Sequence, residues 1–286
     1  MRGNGILTAL LLVILPAAGL GSASANAAQR RRGSSVTAVV PPPSRTATPK
    51  VEGPRDSSLP LVVIDAGHGG HDPGAISAFE GRHEKTAVLA IAREIRDQLV
   101  KSGRVRVALT RGNDRFLALG ERVAVARRLD ADLFISIHAD SAPSPDANGA
   151  SVYTLSEIAS DRDAARVAAK ENRSDMVRGV DLGGDADIQS ILFDLARRET
   201  MNASASFAAV LRRETPDEVR FRTQAHRFAN FRVLKAGDIP SVLFETGYLS
   251  NEEDARFLFS EQGREAIAKG VRRAVEAHFA RRLGRR

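Results

Sequence analysis

Three short runs constrain this chain most: Leu61–Asp65 (LVVID), Leu133–His138 (LFISIH) and Ser241–Glu245 (SVLFE). Each is apolar along nearly its whole length rather than at alternate positions, the pattern of a strand buried on both faces. Such strands belong to a sheet with helices on either side, and the intervening segments supply them. In 84–101, Val88, Ile91, Ile95 and Leu99 recur at helical spacing. The segment 119–129 repeats this with Val123 and Ala126, and 264–283 with Ile267, Val271, Val275 and Phe279. Val105–Thr110, Ser151–Leu155 and Phe231–Leu234 read as further strands. The order predicts a single α/β domain: a mostly parallel twisted sheet of about six strands flanked by helices.

Upstream of residue 61 the pattern stops. Arg2 precedes an apolar run over 6–20, too short and too broken by Pro16 and Gly19 for a comfortable membrane span. Small residues follow at Ala23-Ser24-Ala25 and Ala25-Asn26-Ala27. This predicts a secretory signal peptide over 1–27, hence export and no stable membrane insertion after its removal. Residues 28–60, rich in Arg, Ser, Thr and Pro, hold too little apolar surface to fold and read as a disordered tether, leaving 61–286 as the folded domain. The chain has no cysteine, which excludes disulfides and thiol-ligated metals. Its net charge of +7 owes much to terminal arginines such as Arg281, Arg282, Arg285 and Arg286. No aromatic residues are interleaved with them for base stacking, so no nucleic-acid partner is expected. One segment, Ala159–Glu214, interrupts the βα alternation and reads as a helical, regulatory insertion.

Each of the three apolar strands ends in a group capable of chemistry. The first runs into Ala66-Gly67-His68-Gly69-Gly70, the second ends in His138-Ala139-Asp140, and the third in Glu245-Thr246-Gly247. Carboxyl ends of parallel strands share one edge of the sheet, where open α/β folds place their sites. Glu84, opening its helix after the loop 70–83, can return to that edge, ionised under the helix dipole. His68, His138 and Glu84 are a donor set that Zn2+ accepts while keeping a fourth position for water, which it acidifies. Glu245 is then placed to act as general base. Asp65 and Asp140 are expected to orient the histidine rings from behind. His71 and His83 read as loop residues beside the site, and His226 and His278 as surface or packing residues.

These residues resemble a known family. Val63-Ile64-Asp65-Ala66-Gly67-His68-Gly69-Gly70, Asp72-Pro73-Gly74-Ala75, His83-Glu84-Lys85, Leu109-Thr110-Arg111, the run Ala131–Asp140 (ADLFISIHAD) and Glu245–Asn251 (ETGYLSN) are similar to motifs of the zinc-dependent N-acetylmuramoyl-L-alanine amidases that separate daughter cells in Gram-negative bacteria. The resemblance spans roughly residues 60–280. It implies a periplasmic enzyme with one zinc on His68, Glu84 and His138, and Glu245 as the catalytic glutamate. The bond cut is the amide between N-acetylmuramic acid and L-alanine in septal peptidoglycan. It implies, too, that Ala159–Glu214 covers the zinc until a periplasmic activator of the LytM-like type withdraws it. Glu157 or Glu171 is then the inhibitory ligand, and Ile188, Ile191, Leu192 and Leu195 the apolar positions that dock the activator. The rival readings are a zinc carboxypeptidase on stem peptides and a non-catalytic peptidoglycan-binding module. Ala66 and His83 stand where many relatives carry Pro and Arg, and neither is a ligand.

Overall fold

The computed structural model describes residues 47–79, 81–178 and 191–283. The signal-peptide reading, most of the tether and Ile188 lie outside them. The same holds for the side chains of Ile191, Leu192 and Leu195.

Among the described residues seven strands form one sheet: β1 (Val51–Glu52), β2 (Leu61–Ala66), β3 (Arg106–Leu109), β4 (Leu133–His138), β5 (Ala150–Leu155), β6 (Phe221–Ala229) and β7 (Ser241–Glu245), in the order β1-β3-β2-β4-β7-β5-β6. The central four, β3, β2, β4 and β7, are mutually parallel. β5 joins β7 antiparallel and carries β6 parallel to itself, while β1 caps the far edge antiparallel to β3. Every residue of β2, β4 and β7 is buried, as their apolar runs require.

Side chains alternate across the sheet and sort the core into two layers. On one face Val62, Ile64, Ile135 and Phe244 pack against α1 (Glu84–Ser102) and α6 (Glu261–Leu283); on the other Val63, Phe134 and Leu243 meet α2 (Leu119–Arg128) and α3 (Arg162–Glu171). Helix α1 ends at Gly103, left-handed with φ 66°, whose N–H caps Val100 O. Among the described residues no helix is long and apolar enough to cross a membrane.

Three readings change. Val51–Glu52, assigned to the tether, is strand β1, because the open edge of β3 satisfies its backbone. Phe231–Leu234 is no strand: Arg232–Leu234 forms a 3-10 turn. The sixth long strand is Phe221–Ala229, whose polar alternation (FRTQAHRFA) suits an exposed edge and carries little apolar signal. The proposed insertion is not one separable piece either. In α4 (Ile191–Glu214), Phe207, Ala208, Val210 and Leu211 are buried in the main core against α6, so excision to residue 214 would open that core.

Candidate metal centre

β4 and β7 end in register, His138 opposite Glu245, and β2 delivers the loop Gly67–Gly70 beside them. His68 and His138 meet edge to face with ring centroids 4.9 Å apart. That approach needs Gly67, where a Cβ would lie 2.4 Å from the His138 ring. Gly67→Ala is therefore expected to displace His138 and abolish zinc retention after dialysis, with the fold kept by circular dichroism; retained zinc would contradict this.

Around the two rings stand two carboxylates. Glu84 Oε1 is 3.0 Å from His68 Nε2 and 3.2 Å from His138 Nδ1; Glu171 Oε2 is 3.3 Å and 3.1 Å from the same atoms. Both ring nitrogens are buried yet lack a hydrogen bond, so these contacts have the wrong angles for one. Four imidazole–carboxylate contacts of 3.0–3.3 Å suit a shared cation. Tetrahedral zinc holds N and O ligands about 3.3 to 3.6 Å from one another. Among the described residues, His68, His138 and Glu171 offer ligand atoms that all lie within 4.8 Å of one another. The residues present therefore fit a metal ion.

Electrostatics agree. Burial lowers the His68 imidazole, but Glu84 and Glu171 overcome it and push the ring up to about 10; His138 is likewise raised well above its ordinary value despite burial. Burial alone would raise Glu84 and Glu171, whereas the two imidazoles hold both carboxyls down. A pocket that binds protons this tightly demands positive charge, which a divalent ion supplies.

The supports differ from those expected. His68 Nδ1 donates to Asp72 Oδ2 at 2.9 Å, which leaves Nε2 as the lone-pair nitrogen. Asp72 Oδ1 accepts from Gly74 N–H. Glu84 accepts from Ala75 N–H through Oε2 and from Ala139 N–H through Oε1, both at 2.8 Å. Asp65 and Asp140, expected to orient the rings, do not: Asp65 accepts from Thr110, Ser136 and Arg122 beneath the loop, and Asp140 pairs with Lys170. The Asp72-x-Gly74 turn, four residues after His68, was the available signal for the true acceptor.

Glu245 lies apart from the four donors. Asp140 N–H fixes its Oε2 at 3.0 Å, and Oε1 is buried without a partner. Burial raises this carboxyl well above the usual range; Asp140 adds to the rise, and His138 opposes it.

Glu171 and Lys170 close α3, which packs Ala164, Val167 and Ala168 on the sheet. Beyond it, Asn172 Nδ2 donates to Asn230 O while its Oδ1 accepts from Arg232 N–H. Asp175 Oδ1 accepts from Leu119 N–H at 2.8 Å, capping α2 where Ala118 has no oxygen to offer. Glu157 is elsewhere, exposed and paired with Arg197 and Asn230. His71 is exposed against Phe116 and His83 precedes α1; His226 bonds Thr154, and His278 packs between Phe207 and Phe279.

Residues 62–277 match the family model described as N-acetylmuramoyl-L-alanine amidase. Two relatives of that name are AmiC of Escherichia coli O6:H1, 37% identical over 84% of this chain, and AmiA of Escherichia coli K12, 39% identical over 77% of it. The chain covers 57% of the former and 76% of the latter, so against AmiC it spans little more than half the relative's length. The solved catalytic domain of CwlV from Bacillus (Paenibacillus) polymyxa is similar in fold, with a TM-score of 0.59 and 29% identity over 78% of this chain and 99% of that one. By sequence and by fold, this chain belongs to the N-acetylmuramoyl-L-alanine amidase family.

Proposed function

We propose that the chain is an exported, periplasmic zinc amidase that frees the stem peptide from N-acetylmuramic acid during septal wall splitting, and that it is autoinhibited. Residues 1–27 are its signal peptide, and a stretch beginning at residue 28 and ending before β1 tethers the domain. The observation that carries the reading is the placement of Glu171 Oε2 against His68 Nε2 and His138 Nδ1, where a substrate carbonyl or a water would have to sit.

His68 Nε2, His138 Nδ1 and Glu84 Oε1 would hold one zinc ion, which when bound polarises the scissile carbonyl and acidifies water. The chain's own residues do the rest. Glu245 Oε1, lacking any partner, takes the proton of the attacking water as the new C–O bond forms. A carboxyl held above its ordinary value keeps that proton long enough to pass it to the departing L-alanine nitrogen as the C–N bond breaks. The products are a lactyl carboxylate and a free amino terminus. Asp140 N–H keeps Glu245 Oε2 turned away, so Oε1 alone serves.

Four contacts seat the lid: Glu171 on the imidazoles, Lys170 on Asp140, Asn172 on Asn230 and Arg232, and Asp175 on α2. A LytM-like activator would withdraw α3 by gripping the chain from Ile188 into the first turns of α4, where Ile191, Leu192 and Leu195 fall. Dye release from labelled sacculi tests the whole reading. The double variant Lys170→Ala/Glu171→Ala, which leaves the α4 core intact, loses the Glu171 contacts with the imidazoles and the Lys170–Asp140 hydrogen bond, the latter worth about 1.5–3 kcal/mol. It should release dye at least about tenfold faster than the parent, with a chelator abolishing the signal. Zinc-loaded double variant that leaves sacculi undigested would refute the amidase assignment. Release of single terminal amino acids instead of whole stems would turn the reading to a carboxypeptidase.

A further inference from the structure

His68 is one of two described non-glycine residues with positive φ, at 58°. A β-carbon makes this left-handed conformation unfavourable, and such strain persists only where surrounding contacts overdetermine it. The contacts are two buried guanidinium groups. Arg122 donates through Nη1 to Ala66 O at 2.6 Å and to Asp65 Oδ1 at 2.9 Å, through Nη2 to His68 O at 2.8 Å, and through Nε to Leu117 O. Arg111 donates through Nε to Ala66 O at 2.9 Å and through Nη2 to Gly67 O at 2.6 Å and Lys85 O at 3.0 Å. Three successive carbonyls, those of Ala66, Gly67 and His68, are thereby gathered by two arginines, and a fourth belongs to Lys85, next to Glu84.

The arrangement is costly as packing alone. Arg111 is fully buried, and its described hydrogen bonds all go to carbonyl oxygens. Burial, with Arg122 close by, pushes its guanidinium down to about 10. A core that needed only volume would place apolar side chains here. A fork of fixed N–H directions, by contrast, dictates where each carbonyl points and so sets the backbone torsions between them.

We propose that Arg111 and Arg122 are positioning residues of the metal centre, holding the Ala66–His68 backbone in the conformation that brings His68 Nε2 to His138 Nδ1 and Glu84 Oε1. The inference rests on the metal reading of the site but not on the bond it cuts. Lysine at either position keeps the charge and can reach only part of the carbonyl set.

The test uses the full mature chain carrying Arg111→Lys or Arg122→Lys, with Val125→Ala as a control that destabilises α2 without touching the loop. Zinc affinity is read by competition with a chromophoric chelator, ligand geometry by the visible spectrum of the Co2+-substituted protein, and stability by thermal unfolding. Each lysine variant should fold, bind zinc about 10–100-fold more weakly than the parent, and show an altered cobalt spectrum; Val125→Ala should change stability alone. Unchanged zinc affinity and cobalt spectrum in the lysine variants would overturn the proposal. So would equal weakening in Val125→Ala, and so would loss of the fold in both lysine variants, which would assign the pair to the core. Inactive but zinc-replete parent and lid variants would refute the amidase reading and leave this one standing.

Discussion

Glu245→Gln, introduced into the Lys170→Ala/Glu171→Ala background and loaded with zinc, is expected to lose about 10²–10⁴-fold in dye release while binding zinc and sacculi as before. Glutamine keeps the volume and can still accept the Asp140 N–H that now fixes Oε2. It cannot take a proton at the atom that corresponds to Oε1. Because Glu245 stands outside the set of His68, His138, Glu84 and Glu171, its loss removes no ligand, and metal content should match the parent. A structural role would show as a lower melting temperature or lost zinc; a general-base role shows as rate alone. Activity within threefold of the background would remove Glu245 from the mechanism, and the partnerless water-activating group would have to be sought in Asp140, whose Oδ2 is also buried without a partner.

How much of this was legible beforehand follows from what each feature depends on. β2, β4 and β7 announce themselves because a strand covered on both faces must be apolar throughout, and their shared edge then brings His68, His138 and Glu245 together from topology alone. β6 was missed for the opposite reason: as an edge strand it has one covered face, so its sequence alternates with polar residues and looks like a loop. Orienting groups were harder still. Asp65 and Asp140 lie near the ligands in sequence and read as natural partners, yet Asp65 is taken up by Arg122, Thr110 and Ser136 and Asp140 by Lys170, while Asp72 reaches His68 because the Gly69–Asp72 turn folds back. Glu171 and Glu157 could not be separated by pattern, since what distinguishes them is the path of the chain: α3 carries its last residue to the imidazoles while the loop before it stays at the surface. The two arginines were invisible as a pair because their common target is backbone, which leaves no trace in side-chain spacing.

Asp65→Asn should destabilise the domain by about 3–5 kcal/mol at neutral pH, since it leaves the buried Arg122 without its counter-charge. For a domain of this size that is a fall of about 6–20 °C in melting temperature. The isosteric amide fits the space, so the cost is electrostatic: Asp65 takes hydrogen bonds from Arg122, Thr110 and Ser136 at once, and an NH2 must face one of these donors. Dependence on pH separates this from a packing defect. Burial would raise the Asp65 carboxyl, but Arg122 first, then Thr110 and Ser136, bring it below its ordinary value. A carboxyl depressed in the folded state contributes stability that is fully present above its unfolded value, about 3.9, and is lost as pH falls through the folded one. The gap in melting temperature between parent and variant should therefore be constant from neutral pH down to that region and close below it, as the parent loses what the variant never had. A gap that persists unchanged into strong acid would assign the loss to packing. A missing gap at neutral pH would show that Arg122 is held by its three carbonyls without need of Asp65.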